Sequence, residues 1–265
     1  MKLSKLVADV AAKEGNERVK LIAKSSRFLV IPYRLPYVRH LTDFEHGFYV
    51  DFEIQRKIMG EWLLENKCKT ALDIGAQTGG CIEYISNLGI RMDGTQYTQD
   101  LKNFASKRLK AAAVKSRLFV SAIDQPPTFQ RTRKYDAAVM LSWFNLPFTH
   151  REIRRYLDAI HGLLQPKGVL LFDYFQFKDV VVNPPETAKF DDGILFISHT
   201  ELLCKVLRRY HFWIRGRTVR SEVTDLVDRT TDEIFGLLKS SGFTDGKSEF
   251  LRLNYPRVFV LAKKA

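Results

Sequence analysis

The residues best placed to do chemistry lie in one short run, Lys69-Thr70-Ala71-Leu72-Asp73-Ile74-Gly75-Ala76-Gln77-Thr78-Gly79-Gly80. Ala71, Leu72 and Ile74 read as a short buried strand that ends at a carboxylate, Asp73, and runs into a glycine-rich turn. Cys81 to Leu88 follows, with Ile82, Ile85 and Leu88 at helical spacing. A strand, a glycine turn and a helix start form a cradle for a polar ligand. Glycine lets the backbone approach closely, and the first turn of a helix offers N–H groups with no partner inside the helix. The spacing is not that of the dinucleotide-binding fingerprint, because Gln77 and Gly80 fall out of register with it.

The elements around this run alternate. Ile90–Thr95 reads as a strand, Gln99–Leu109 as a helix, Arg117–Ala122 as a strand and Tyr135–Leu141 as another, followed by a loop from Ser142 to Thr149. Ile153–Leu164 is an amphipathic helix, and the next strand ends near Asp173. Beyond it, Ile194–His199 reads as a strand and Cys204–Ile214 as a strand or a helix. Thr231–Ser241 is a helix closed by Gly242, and Tyr255–Lys264 is a last strand. That rhythm predicts an α/β fold with a mostly parallel sheet and right-handed crossovers. Ahead of the glycine run, Asp51–Glu65 reads as a helix with Phe52, Ile54, Ile58, Met59, Trp62 and Leu63 on its buried face.

Composition narrows the partners. The chain has 265 residues, 45% of them hydrophobic, which suffices for one large core. No apolar run is long enough for a transmembrane helix. Three widely spaced cysteines, Cys68, Cys81 and Cys204, suggest a reducing, cytoplasmic compartment and no metal framework. The net charge of +12 predicts an anionic partner or substrate. Lys205 to Arg220 holds six basic residues and no acidic one.

The pattern Asp73-x-Gly75-x-x-Thr78-Gly79 resembles the first motif of class I S-adenosylmethionine-dependent methyltransferases, usually Leu-Asp-Ile-Gly-Cys-Gly-Thr-Gly. Tyr135-Asp136-Ala137-Ala138-Val139 resembles the family's fourth strand, and Leu164-Gln165-Pro166-Lys167-Gly168 resembles the turn into its fifth. The resemblance spans about residues 45–264. It implies a Rossmann-like fold: a mostly parallel seven-stranded sheet with helices on both faces, a segment 1–44 ahead of the domain, and a substrate-covering insertion at about 174–221. It also implies S-adenosylmethionine as cofactor, held by Tyr49, Asp73, Gly75, Ala76, Gln77, Thr78, Gly79, Gln96, Tyr97, Ile123, Asp124, Gln125 and Leu141. Asp124 matches the acid that recognises adenine, and Tyr49 lies in an aromatic stretch of the kind that folds over the cofactor. Two positions depart from the pattern. Gln77 stands for a glycine, and Gln96 for the acid that binds the ribose diol; an acid at 96 is therefore expected to bind the ribose more tightly.

A general base is needed only for a hydroxyl or a protonated amine, and His150, Tyr174 and His199 are the candidates. Three functions stay open. A methyltransferase acting on an amine or hydroxyl of a small molecule, phosphorylated or otherwise anionic, comes first. An RNA methyltransferase is second, on the charge and the Arg209-Tyr210-His211-Phe212-Trp213 interleaving. A non-catalytic binding protein of the same fold is third. The oligomeric state is not legible.

Overall fold

The computed structural model describes residues 51–121, 134–177, 186–189, 193–203, 205–215, 218–251 and 257–265. They fall into two compact units. The larger holds the described residues up to Gln176 and from Arg229 to Ala265. It contains helices α1 (Asp51–Glu65), α2 (Gly80–Asn87), α3 (Gln99–Ala111), α4 (His150–Leu163) and α5 (Thr231–Ser240). Its strands are β1 (Thr70–Asp73), β2 (Arg91–Gln96), β3 (Leu118–Val120), β4 (Tyr135–Met140), β5 (Leu164–Phe175), β10 (Phe243–Leu251) and β11 (Arg257–Lys264).

These strands form one sheet in the order β10-β11-β5-β4-β1-β2-β3. β3, β2, β1, β4 and β5 are parallel, and β11 runs antiparallel between β5 and β10. The expected seven-stranded, mostly parallel sheet is therefore present. Alternation along each strand fills two cores. Leu72, Ala138, Met140, Leu170, Phe172 and Val260 pack on one face against α4 and α5. Ala71, Val139, Val169, Leu171 and Phe259 pack on the other against α1, α2 and α3. α4 shows why it forms: Ile153, Tyr156, Leu157, Ile160 and Leu163 make one buried stripe, and a Thr149–Glu152 capping box satisfies its first turn.

The turn into β5 is a local irregularity. Tyr135 pairs with Leu164 and Ala137 with Val169, so residues 165–168 bulge from the ladder. A side chain at Gly168 would press on the backbone oxygens of Gln165 and Asp136, at 3.0 and 3.1 Å. Helix α1 corrects the sequence expectation. Gln55 is buried with Met59, Trp62 and Leu63, whereas Ile54 is 42% exposed. Positions 55, 59, 62 and 63 lie on one helical stripe, and the turn of the helix carries Ile54 off it.

The described residues of the smaller unit lie between Phe177 and Asp228. Its strands β6 (Glu186–Lys189), β7 (Leu195–Leu203), β8 (Val206–Arg215) and β9 (Thr218–Val227) form an antiparallel sheet in sequence order. The segment read as a strand or a helix is thus the strand β8. Phe196 of β7 packs on Trp213 of β8, their rings 4.4 Å apart. Arg208 makes a two-pronged bond to Asp225 of β9, at 2.7 and 2.9 Å, so one cation of the basic segment has a carboxylate partner supplied from outside it. Among the described residues no helix is long and apolar enough to cross a membrane.

Candidate functional site

The strand order reverses between β1 and β4: β2 and β3 lie on one side of β1, β4 and β5 on the other. Ligands of open parallel sheets bind at the carboxyl ends of the strands beside such a reversal. The glycine turn leaves β1 there. The Ile74 N–H donates to the Val139 carbonyl at 2.8 Å, extending the pairing with β4. On the other side, the Gly75 N–H donates to Thr95 Oγ1 at 2.9 Å and the Ala76 N–H to the Thr95 carbonyl at 2.8 Å. The turn is thus slung between the ends of β4 and β2.

Gly75 and Gly79 both take φ of 81°, left-handed backbone that glycine adopts freely. Their missing side chains serve different ends. A Cβ at Gly75 would lie 2.1 Å from the Tyr97 hydroxyl oxygen. One at Gly79 would face Ala105 and Leu109 of α3, at 3.3 and 3.4 Å. Gly75 therefore lets the Tyr97 phenol lie against the turn, while Gly79 lets the turn pack on α3. Thr78 is wholly buried and accepts from Arg108 Nη1 at 3.2 Å. Gly79 is the N-cap of α2 and provides no side-chain cap.

A cavity of about 90 Å³ opens beside this turn, lined among others by Gln55, Arg56, Asp73, Gly75, Leu141 and Ser142. Asp73 closes β1 and is almost buried. Gln55 is 1% exposed, and its side-chain oxygen has no hydrogen-bond donor. A buried acceptor left without a donor is costly and marks a place where a ligand N–H or O–H would fit. The Arg56 guanidinium reaches the start of α2, where a Cβ on Gly80 would meet it at 2.5 Å and Arg108 at 3.1 Å. Arg108 is itself anchored to Glu83 at 2.7 Å. Neither Gln55 nor Arg56 was singled out from sequence. The available signal was a polar residue, Gln55, in register with the apolar stripe of α1.

At the end of β2, Gln96 is fully buried. Its amide nitrogen donates to the Gln77 carbonyl at 2.8 Å, and its side-chain oxygen has no partner. Tyr97 lies across Gly75; burial pushes its phenol well above the usual range, and the neighbouring Tyr156 and Asp73 add to the rise. Tyr49, Ile123, Asp124 and Gln125 lie outside the described residues.

The loop after β4 is held from three sides. Ser142, at φ 56°, donates its N–H to Asp173, which also pairs with Arg257 in a buried ion pair. The Asn145 side chain bonds both the N–H and the carbonyl of Phe175, at 2.7 and 3.2 Å. Arg229, itself buried, donates to the carbonyls of Phe144, Leu146 and Phe148. Burial lowers the pKa of Arg229. Neither His150 nor Tyr174 is among the residues that line the cavity. His150 is the first residue of α4, exposed, with Nε2 3.7 Å from a Glu233 oxygen. Tyr174 is buried, and its hydroxyl is 2.9 Å from Thr231 Oγ1. His199 lies on β7, in register with Tyr210 of β8.

No family model matches this chain, and no curated protein matches it in sequence. Solved structures do. An S-adenosylmethionine-dependent methyltransferase from Clostridium acetobutylicum superposes with a TM-score of 0.73 at 16% identity, over 87% of this chain and 100% of that one. A sugar N-methyltransferase from Streptoalloteichus gives 0.70 at 17% identity, over 89% and 96%. An amino pentose methyltransferase of calicheamicin biosynthesis from Micromonospora echinaspora gives 0.66 at 18%, over 89% and 100%. With the strand order and the glycine turn, these place the chain in the Rossmann-like fold of the class I S-adenosylmethionine-dependent methyltransferases.

Proposed function

We propose that this chain binds S-adenosylmethionine on the glycine turn and transfers its methyl group to an amine or hydroxyl of a small-molecule acceptor. The observation that carries this reading is the charge pattern of the cavity. The orphaned oxygen of Gln55 and the Asp73 carboxylate offer acceptors for an ammonium group. The Arg56 guanidinium on the same cavity offers donors for a carboxylate. Together they complement an α-amino acid zwitterion, which is the methionine end of the cofactor. Gln96 presents an unpartnered acceptor for a ribose hydroxyl.

When bound, the cofactor supplies a sulfonium methyl group to a nucleophile in line with the departing sulfur. The chain's own part is alignment and exclusion of water. Leu141 and Ser142 line the cavity from the carboxyl end of β4, and the Asp173, Asn145 and Arg229 bonds fix the loop that follows.

The structural neighbours guide the choice of acceptor. They include the two sugar-directed enzymes and a glycopeptide N-methyltransferase. The acceptor is accordingly proposed to be an amine on a sugar-like small molecule, with the basic surface favouring an anionic one. Titration calorimetry with S-adenosylmethionine and S-adenosylhomocysteine tests the cofactor. Mass spectrometry of an amino-sugar panel incubated with S-adenosylmethionine tests the transfer. Saturable binding and one added methyl group are expected. No heat at millimolar cofactor would overturn the reading.

A further inference from the structure

The two positions where this chain departs from the methyltransferase pattern, Gln77 and Gln96, touch each other. Gln77 sits in the turn at φ 44°, left-handed backbone that a residue with a side chain adopts at a cost. Its carbonyl oxygen receives the Gln96 amide nitrogen at 2.8 Å. Only the amide nitrogen can face a carbonyl at that distance, since the amide oxygen would set acceptor against acceptor. Gln96 is wholly buried and Gln77 is exposed, so the bond joins the buried end of β2 to the outer edge of the turn.

We propose that Gln96 is a positioning residue: its amide ties the strained Gln77 to the end of β2 and so sets the shape of the glycine turn. The inference rests on the reading of that turn as the cofactor site. Glycine at 77 would hold the conformation with less strain, and an acid at 96 could not donate. The two substitutions therefore belong together. With its nitrogen committed, Gln96 has one free acceptor, the orphaned side-chain oxygen, which accommodates one hydroxyl of a vicinal diol where a carboxylate would take both.

The expectation from resemblance alone is thereby reversed. Gln96→Glu should weaken binding of S-adenosylhomocysteine about tenfold, because a carboxylate would face the Gln77 carbonyl. It should also lower the melting temperature of the ligand-free protein. Gln77→Gly alone should leave binding within a few-fold of wild type and raise the melting temperature slightly, since glycine takes φ 44° without strain. Gln77→Gly combined with Gln96→Glu should recover most of the loss, since glycine lets the carbonyl turn away. Calorimetry and thermal melts on the four proteins complete a double-mutant cycle. Additive effects, or a Gln96→Glu protein that melts as wild type and binds as well or better, would overturn the proposal. The ligand-free melts read the tie without any ligand. A wild-type protein that fails to bind S-adenosylhomocysteine would refute the cofactor reading, while coupled melting temperatures would still establish the tie.

Discussion

Replacing Gly75 or Gly79 with alanine separates a glycine that seats Tyr97 over the proposed cofactor turn from one that packs the turn on α3. Both residues have φ of 81°, so both substitutions carry the same left-handed backbone penalty, about 1–2 kcal/mol. For a chain of this size that lowers Tm by ~2–4 °C per kcal/mol. The neighbours then differ. At Gly79 the new methyl meets Ala105 and Leu109 at 3.3 and 3.4 Å, a contact that small shifts of α3 relieve. At Gly75 it meets the Tyr97 oxygen at 2.1 Å and its ring carbon at 2.7 Å, and the phenol must leave its place over the turn. Thermal melts should show a larger loss of stability for Gly75→Ala than for Gly79→Ala. Calorimetry with S-adenosylhomocysteine should show roughly tenfold or greater weakening for Gly75→Ala. Gly79→Ala should bind within a few-fold of wild type. Equal loss of affinity in both variants would refute the division of labour between the two glycines.

Other expectations follow from the same geometry. Gln55→Leu removes the orphaned acceptor at near-equal volume, so it should preserve or raise stability while weakening cofactor binding; calorimetry beside a melt reads both. Arg229→Met takes three hydrogen bonds from the loop after β4 and should cost about 2–5 kcal/mol in denaturant unfolding. Leu157→Ala should cost about 2–5 kcal/mol from its fully buried site, measured the same way. The carboxyls of Glu152 and Glu233 are held below the usual range by hydrogen bonds from Thr149 and Thr230 in the capping boxes. Because the folded value is the lower one, their stabilisation is present above the unfolded pKa and is lost as pH falls through the folded pKa. Glu233→Gln should therefore flatten the acid limb of the stability–pH curve.

The sheet was legible because its signals are local. Alternating apolar residues in β1, β4 and β5, the Gly75–Gly79 turn and the Gly242 stop each announce an element within a few positions. Of the cavity lining, the sequence singles out Asp73, Gly75, Ala76, Gln77 and Leu141, all in or next to those local signals. Gln55 and Arg56 come to the cavity from a helix that precedes the turn, and only the packing of α1 decides that Gln55 faces inward while Ile54 does not. The bond from Gln96 to Gln77 crosses 19 positions, and those from Arg229 to its loop cross more than 80. Such contacts depend on the assembled sheet, and no run of neighbouring residues encodes them.

The central claim is that S-adenosylmethionine lies on the glycine turn with its amino-acid end in the cavity of Gln55, Arg56 and Asp73. A crystal structure with S-adenosylhomocysteine tests it most directly. The ligand carboxylate is expected within hydrogen-bonding distance of Arg56, its ammonium on the Gln55 oxygen, and a ribose hydroxyl on Gln96. A ligand bound elsewhere, or one seated on the turn with Gln55 still unpartnered, would contradict it.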